Sequence, residues 1–167
     1  MKKRTILRIK GFFLGMLLSR WSYFFVRIAL AIIFIYAGSL KLMDPKAFAR
    51  IISHYGLVPE PLLPAVAIGL PVSEVLAGIA LIFDFRPGLY GVSGLVLLFV
   101  IVLGYGVLAE MDIDCGCFGP EELAGRKGLA HAFYRDLALL GAVVFLYWSR
   151  LVRDRRLLDV STQTLSK

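Results

Sequence analysis

Two cysteines separated by one residue are the feature of this sequence that most directly suggests chemistry. They are the only cysteines among 167 residues and lie in the run Cys115-Gly116-Cys117-Phe118-Gly119. A thiolate attacks a disulfide through a mixed-disulfide intermediate, and strained disulfides are the readily reduced ones. Side chains at i and i+2 do not face each other in a helix or a strand, so pairing needs a tight turn, which Gly116 permits. We therefore predict that Cys115 and Cys117 are a redox-active, catalytic pair in a turn shaped by Gly116, Phe118 and Gly119.

Two other interpretations of the cysteine pair stay open. A metal site would combine the two thiolates with His131 or His54, although their spacing matches no structural zinc pattern. A purely structural turn would involve no chemistry. We assign no metal ligands from the sequence.

The composition indicates a membrane protein. The chain is 59% hydrophobic and 19% charged, with a mean hydropathy of +0.78. Ordinary soluble domains are roughly 45–50% apolar and about 25% charged, so a disordered chain is excluded and an ordinary soluble domain is disfavoured. The net charge of +7 could suit nucleic acid, but the basic residues flank apolar runs at the chain ends. That pattern favours a lipid bilayer, and not nucleic acid, as the partner.

Four apolar runs predict transmembrane helices. A helix crosses the bilayer core with about 20 mostly apolar residues. The runs cover about 21–43, 63–83, 88–110 and 132–149. We therefore predict an all-α, integral membrane four-helix bundle over residues 21–149. A basic segment at 1–20, which lacks a signal-peptide cleavage site, and a basic tail at 150–167 flank it.

The distribution of Lys and Arg predicts the orientation. Thirteen of the 19 lie on one predicted side, in 1–27, 84–87 and 150–167, and four lie in the loops 44–62 and 111–131. The positive-inside rule then places both termini in the cytoplasm, with Trp21 and Trp148 near that interface. In a bacterial inner membrane, the cysteine pair would face the periplasm, where disulfides persist.

Six charged residues fall within the predicted spans, and four of them are candidate site residues. Lys41, Glu74, Arg135 and Asp136 lie at the midplane or in the half of the bundle nearest the cysteines. Ionisable residues inside a membrane are expensive and suggest function, so we predict that the four line a pocket for a quinone headgroup or a proton path. Snorkelling and a bundle-stabilising ion pair are the structural alternative. Transport coupled to Glu74 is less favoured, because the sequence shows no evident repeat.

These motifs resemble a known family. The run from Ala37 to Leu42, followed by Asp44-Pro45 and Phe48, resembles the first helix of DoxX-like membrane proteins. The pattern Pro71-x-x-Glu74-x-x-x-Gly78 resembles their second helix. The C-G-C-F-G element ahead of an Arg-Asp pair is similar to the methylamine-utilisation MauE branch.

The resemblance implies a four-helix bundle that supports maturation of periplasmic proteins. MauE-type proteins are associated with maturation of the disulfide-rich methylamine dehydrogenase, together with a thioredoxin-fold partner. Analogy with other four-helix thiol oxidases adds electron transfer from Cys115 and Cys117 to a membrane quinone. We therefore predict a thiol–disulfide oxidoreductase or an electron-relay subunit. The alternative is a non-catalytic assembly factor that holds a partner subunit in the membrane.

Overall fold

The structure, a computed structural model, describes residues 20–109 and 126–165. Side-chain surroundings are described for 20–109 and 128–152. Within these ranges all regular elements are helical. The α-helices are α1 (Arg20–Met43), α2 (Pro45–His54), α3 (Leu63–Ile82), α4 (Arg86–Leu108) and α5 (Arg126–Leu165), with a 3₁₀ turn at Glu60–Leu62.

Four segments of the described chain are long and apolar enough to cross a membrane. They are 23 to 25 residues long and cover Arg20–Met43, Glu60–Ile82, Arg86–Leu108 and Gly128–Val152. At a rise of about 1.5 Å per residue, 23 residues span about 35 Å, more than a bilayer core of about 30 Å. The predicted class of an all-α, multi-pass membrane protein is confirmed.

The fourth span differs from its predicted bounds. The sequence pattern predicts a span over 132–149 followed by a separate tail, whereas α5 runs without a break from Arg126 to Leu165. No proline or glycine follows Gly141 in this helix, so nothing in the local sequence terminates it where the hydropathy falls. The predicted span ends where the sequence becomes polar. The residues beyond that point still favour a helix, so α5 continues past the end of the span.

The spanning helices alternate in direction and give the bundle two ends. Helix α1 packs on α3, and α4 packs between α3 and α5. We call one end the Asp84 end, because Asp84 meets Tyr23 of α1 and Arg150 of α5 there. The other is the Met43 end, where α1 and α4 finish and α3 and α5 begin.

Apolar side chains fill the bundle and also cover it. One buried cluster includes Leu30, Phe34 and Leu146, and a second, closer to the Met43 end, includes Leu103 and Leu129. Large apolar residues are also exposed on the outer faces of all four spanning helices, as a lipid environment favours. They include Ile32, Leu76, Ile101 and Val144.

Two glycines allow α1 and α3 to approach closely. A Cβ added at Gly38 would lie 2.8 Å from the carbonyl oxygen of Pro71. A Cβ at Gly78 would lie 3.0 Å from the carbonyl oxygen of Ala31 and 2.8 Å from Ile35. Small residues at such contacts let membrane helices pack backbone to backbone. The glycines of the two helix motifs therefore set the α1–α3 distance.

The short helix α2 was not predicted from the sequence. Asp44 caps it, because its carboxylate accepts a hydrogen bond from the Ala47 amide at 2.9 Å, and Pro45 occupies the first turn. The buried ring of Phe48 faces the bundle, and the buried Tyr55 follows the helix. The Asp44-Pro45 and Phe48 motif is thus the start and the anchor of a helix packed on α3 at the Met43 end.

Candidate functional site

A buried ion pair joins α1 and α3. The Nζ of Lys41 donates to Oε1 of Glu74 at 2.5 Å. Their side chains are 3% and 1% exposed, respectively. Both charges are therefore removed from water and lipid, and each neutralises the other. Lys41 does not snorkel to the interface, which excludes one of the structural alternatives for this residue.

Aromatic rings surround the Lys41 ammonium. The Nζ lies 4.6 Å from the ring centre of Phe99 on α4 and 5.4 Å from that of Phe48 on α2. Cation–π contacts of this kind are worth about 2 kcal/mol when they are desolvated. The sequence pattern did not single out Phe99, since an aromatic residue in an apolar run carries no signal of its own. Phe48 was visible only as part of the family motif.

The two charged residues of α5 reach the same place. The Nε of Arg135 lies 3.2 Å from Oδ1 of Asp136, and Asp136 is buried. One cavity is lined by all four charged residues that the sequence singled out, together with apolar side chains of α1, α4 and α5. Its lining is Ile33, Phe34, Ala37, Lys41, Glu74, Phe99, Arg135, Asp136 and Leu139. The tertiary structure thus brings two basic and two acidic side chains to one cavity, which Phe34 and Phe99 of the two apolar clusters also line.

The size of this cavity limits what it can hold. Its volume is about 30 Å³. About 10–15 Å³ on this measure accommodates one water, so about two waters fit. A cavity that takes benzene is about 150 Å³, several times larger. The cavity therefore offers room for water, while the quinone headgroup and the proton path stay predictions.

One oxygen of Glu74 has no protein partner within the described residues. Oε1 accepts from Lys41, whereas the buried Oε2 receives no hydrogen bond there. A buried carboxylate oxygen that lacks a donor is costly, and a water molecule is the usual way to satisfy it. Glu74 lines the water-sized cavity, so the site offers this oxygen a place for water.

The cysteine pair and its turn lie outside the described residues. This applies to Cys115, Cys117, Gly116, Phe118 and Gly119 alike. The described chain on either side, Ala109 and Arg126, lies at the Met43 end, the end closer to the charged cavity.

The described residues provide no set of metal ligands that would support the metal interpretation of the cysteine pair. His54, at the end of α2, and His131, on α5, are both exposed, and Nδ1 of His54 lies 2.6 Å from the Arg50 carbonyl oxygen. Over 20–109 and 126–165, no three His, Cys, Asp or Glu side chains are grouped so as to hold a metal ion.

A second polar cluster lies at the Asp84 end, and sequence reasoning missed it. Asp84 accepts from the Tyr23 hydroxyl at 2.6 Å, pairs with Arg27 at 3.0 Å and also receives Arg150. Arg150 in turn donates from Nε to the Tyr23 hydroxyl at 2.8 Å. One carboxylate thereby joins α1, the α3–α4 turn and α5. The sequence offered one sign of this cluster: Asp84 is an acidic residue in a four-residue turn on the side of the membrane where most Lys and Arg residues lie.

The surroundings of Asp84 favour its ionised form. Partial burial alone would raise the pKa of this carboxyl, but hydrogen bonds from Tyr23, Arg150 and Arg27 outweigh burial and lower the pKa below its ordinary value of 3.8. Asp84 also has a φ of +57°, the left-handed region that Asp and Asn tolerate better than most residues. Position 84 therefore needs a residue that tolerates a left-handed backbone conformation and whose charged side chain accepts hydrogen bonds.

These features define a multi-pass α-helical membrane protein that encloses a charge-balanced polar site within its bundle. The chain belongs to the MauE family, since the family described as Methylamine utilisation protein MauE matches residues 19–149. It is also similar to Methylamine utilization protein MauE of Paracoccus denitrificans, with 31% identity over 96 residues. That match covers 56% of this chain and 52% of the relative, so it spans about half of the relative's length. No solved structure matches the chain significantly. The family resemblance inferred from the motifs is confirmed.

Proposed function

We propose that this MauE-family protein exchanges disulfides with periplasmic proteins through Cys115 and Cys117. In one direction, a thiolate of the partner's dithiol attacks the Cys115–Cys117 disulfide and forms a mixed disulfide. The partner's second thiolate resolves it. The partner loses two electrons and two protons and gains a disulfide, while Cys115 and Cys117 become thiols. The reverse direction uses the same groups.

The observation that carries this proposal is the position of the charged cavity. Residues 110–125 join Ala109 to Arg126 at the Met43 end, and Lys41, Glu74 and Asp136 meet in the nearer part of the bundle. Thiol–disulfide exchange depends on deprotonating and reprotonating thiols. A buried acid beside space for water is suited to take up and release such protons, and Glu74 is placed to do so within the proposal.

The proposed location is the inner membrane of a bacterium, with the Asp84 end in the cytoplasm. The charge pattern supports this orientation, because Arg20, Arg27, Arg86 and Arg150 all lie at or near the Asp84 end. The proposed partner is a periplasmic thioredoxin-fold protein, which would meet the chain at the Met43 end. Methylamine utilisation, the role in the relative's name, is the proposed context of the exchange.

Mixed-disulfide trapping tests this proposal. Cells producing Cys115→Ser, Cys117→Ser or the double variant would be quenched with acid and labelled with maleimide, and the partner's redox state would be read by mass. We expect one single variant to accumulate a mixed disulfide, and the double variant to accumulate none and to lose exchange. Ser53→Ala is the control, since Ser53 is a small, exposed residue at the Met43 end.

The same experiment distinguishes the second candidate function, an assembly factor. The balance of two bases and two acids in a closed site also suits a purely structural role for these charges. If the double cysteine variant keeps the partner bound and fully oxidised, the exchange proposal is wrong and the assembly role is favoured.

A further inference from the structure

A second cavity opens at the Asp84 end, far from the charged cavity of the proposed exchange site. Its volume is about 440 Å³, within the range of small-molecule sites. Helices α4 and α5 form its walls, and α1 and the α3–α4 turn contribute the rest. Its lining is Tyr23, Asp84, Arg86, Tyr90, Tyr147, Arg150 and Leu151.

Helical spacing explains why these residues face one space. Arg86 and Tyr90 are four residues apart on α4, and Tyr147 is three and four residues before Arg150 and Leu151 on α5. Residues at these spacings share a helix face. The rings of Tyr90 and Tyr147 lie 6.1 Å apart, so they connect the two walls.

The charges of this cavity favour an anion. Asp84 is already matched, because Arg27 contacts its Oδ2, and Arg150 and Tyr23 contact its Oδ1. Arg86 is exposed and makes no hydrogen bond or ion pair with other described residues. Among the described residues, the three arginines Arg27, Arg86 and Arg150 thus lie near one carboxylate, and positive charge is in excess.

Donors also remain available in the cavity. Arg150 donates from Nε to the Tyr23 hydroxyl and from Nη2 to the Asp84 carboxylate. Its Nη1 donates to none of the described residues. The single hydroxyl proton of Ser93 goes to the Leu89 carbonyl oxygen at 2.5 Å, so the Tyr147 hydroxyl donates to Ser93 Oγ at 3.2 Å and is already used. The remaining guanidinium donors suit phosphate oxygens.

The depth of the cavity indicates where the anion comes from. Trp21 and Trp148 are 71% and 61% exposed, and Phe83 and Phe85 are exposed beside them. Such aromatic side chains gather at the headgroup level of a bilayer. The cavity therefore lies where lipid phosphates are the most concentrated anions.

We propose that this cavity binds a phosphate ester, supplied by the headgroup of an anionic phospholipid. Arg86 and the free Nη1 of Arg150 would contact the phosphate oxygens. The Tyr90 and Tyr147 rings would pack against the glycerol and the first methylenes of the acyl chains. The excess positive charge would discriminate against a choline headgroup.

Native mass spectrometry of the full chain tests the proposal. The protein would be released from detergent with equimolar phosphatidylglycerol and phosphatidylcholine. We expect retention of one phosphatidylglycerol per chain, with a preference of about fivefold over phosphatidylcholine that Arg86→Gln abolishes. Arg20→Gln should keep the preference, since it makes the same charge change at the same end but lies outside the cavity.

Further variants and ligands distinguish a built site from general attraction. Arg86→Lys should restore most of the preference, and Tyr90→Ala should lower retention without changing charge. Equal losses in Arg86→Gln and Arg20→Gln, or equal retention of both lipids, would overturn the proposal. Inorganic phosphate that displaces the lipid at equal concentration would overturn the lipid source and assign the site to a soluble phosphate. Matched thermal midpoints of all variants would exclude misfolding as the cause.

Discussion

Lys41 Nζ lies 2.5 Å from Glu74 Oε1, near one of the two glycine contacts between α1 and α3. Gly38 lies one turn before Lys41 on the same face of α1. A Cβ added at Gly38 would lie 3.1 Å from the Cβ of Glu74, so the glycine allows α3 to come close enough for the ion pair to form. Gly38 and Lys41, both in the first helix motif, therefore contribute to the same contact between α1 and α3. A larger residue at position 38 would separate the two charges that Lys41 and Glu74 bring together.

The ion pair gives the first prediction. Lys41→Met leaves the Glu74 carboxylate buried without its partner, and we expect it to lower the free energy of unfolding by about 3 kcal/mol. The double variant Lys41→Met/Glu74→Gln removes both charges and should cost less than the sum of the two single variants. Unfolding in mixed micelles measures these differences. Lys46→Met is the control, because that lysine is exposed.

The double variant also separates structure from chemistry. If it is less stable than the parent but still supports full disulfide exchange, Lys41 and Glu74 hold the bundle together and carry no protons. A stable but inactive double variant would support proton transfer at Glu74.

The α1–α3 crossing gives the second prediction. Gly38→Ala places a methyl group 2.8 Å from the Pro71 carbonyl oxygen, a backbone atom that cannot move aside locally. We expect a loss of about 1–3 kcal/mol in the free energy of unfolding, as overpacking typically costs. Gly69→Ala and Gly94→Ala are matched controls, since a Cβ at either position meets nothing within 4 Å. Equal effects at all three positions would contradict the close-packing explanation.

The Asp84 cluster gives a prediction about pH. Because the folded-state pKa of Asp84 lies below its ordinary value of 3.8, its ionised form stabilises the fold above that pH. This contribution should disappear as pH falls through the lowered pKa. Asp84→Asn keeps a residue that tolerates the left-handed backbone but removes the charge.

Thermal unfolding of Asp84→Asn and the parent between pH 7 and pH 3 measures this effect. We expect the parent to be more stable at neutral pH and the difference to shrink toward pH 3. The carboxylate is 41% exposed, so solvent screening keeps the difference small. Glu60→Gln, at another exposed acid, should show no such convergence. A constant difference across the range would contradict the assignment.

The orientation gives the fourth prediction. In intact cells, a membrane-impermeant maleimide should label Cys115 and Cys117 after mild reduction, because residues 111–131 are predicted to face outward. In a background with both cysteines replaced by serine, Ser166→Cys should be labelled only after the membrane is opened. The reverse pattern would invert the assigned orientation and place the cysteine pair in the cytoplasm.

Hydropathy in the sequence predicted the spanning helices because lipid imposes a length and an apolar composition on each of them. It did not predict α2, whose ten residues are too few to span and whose anchors are single side chains such as Phe48. It predicted the fourth span but not how far its helix continues, because polarity marks the limit of the bilayer and not the end of hydrogen bonding in α5.

The sequence by itself determined the class of protein, the family and the residue types able to do chemistry. Each of these depends on local composition or short motifs, and Lys41, Glu74, Arg135 and Asp136 stood out because charge is costly in lipid. Only the tertiary structure decided that these four share one cavity with room for water and that Asp84 joins three elements. Such contacts join residues 33 to 127 positions apart, and their distances depend on how helices cross, which no local pattern encodes.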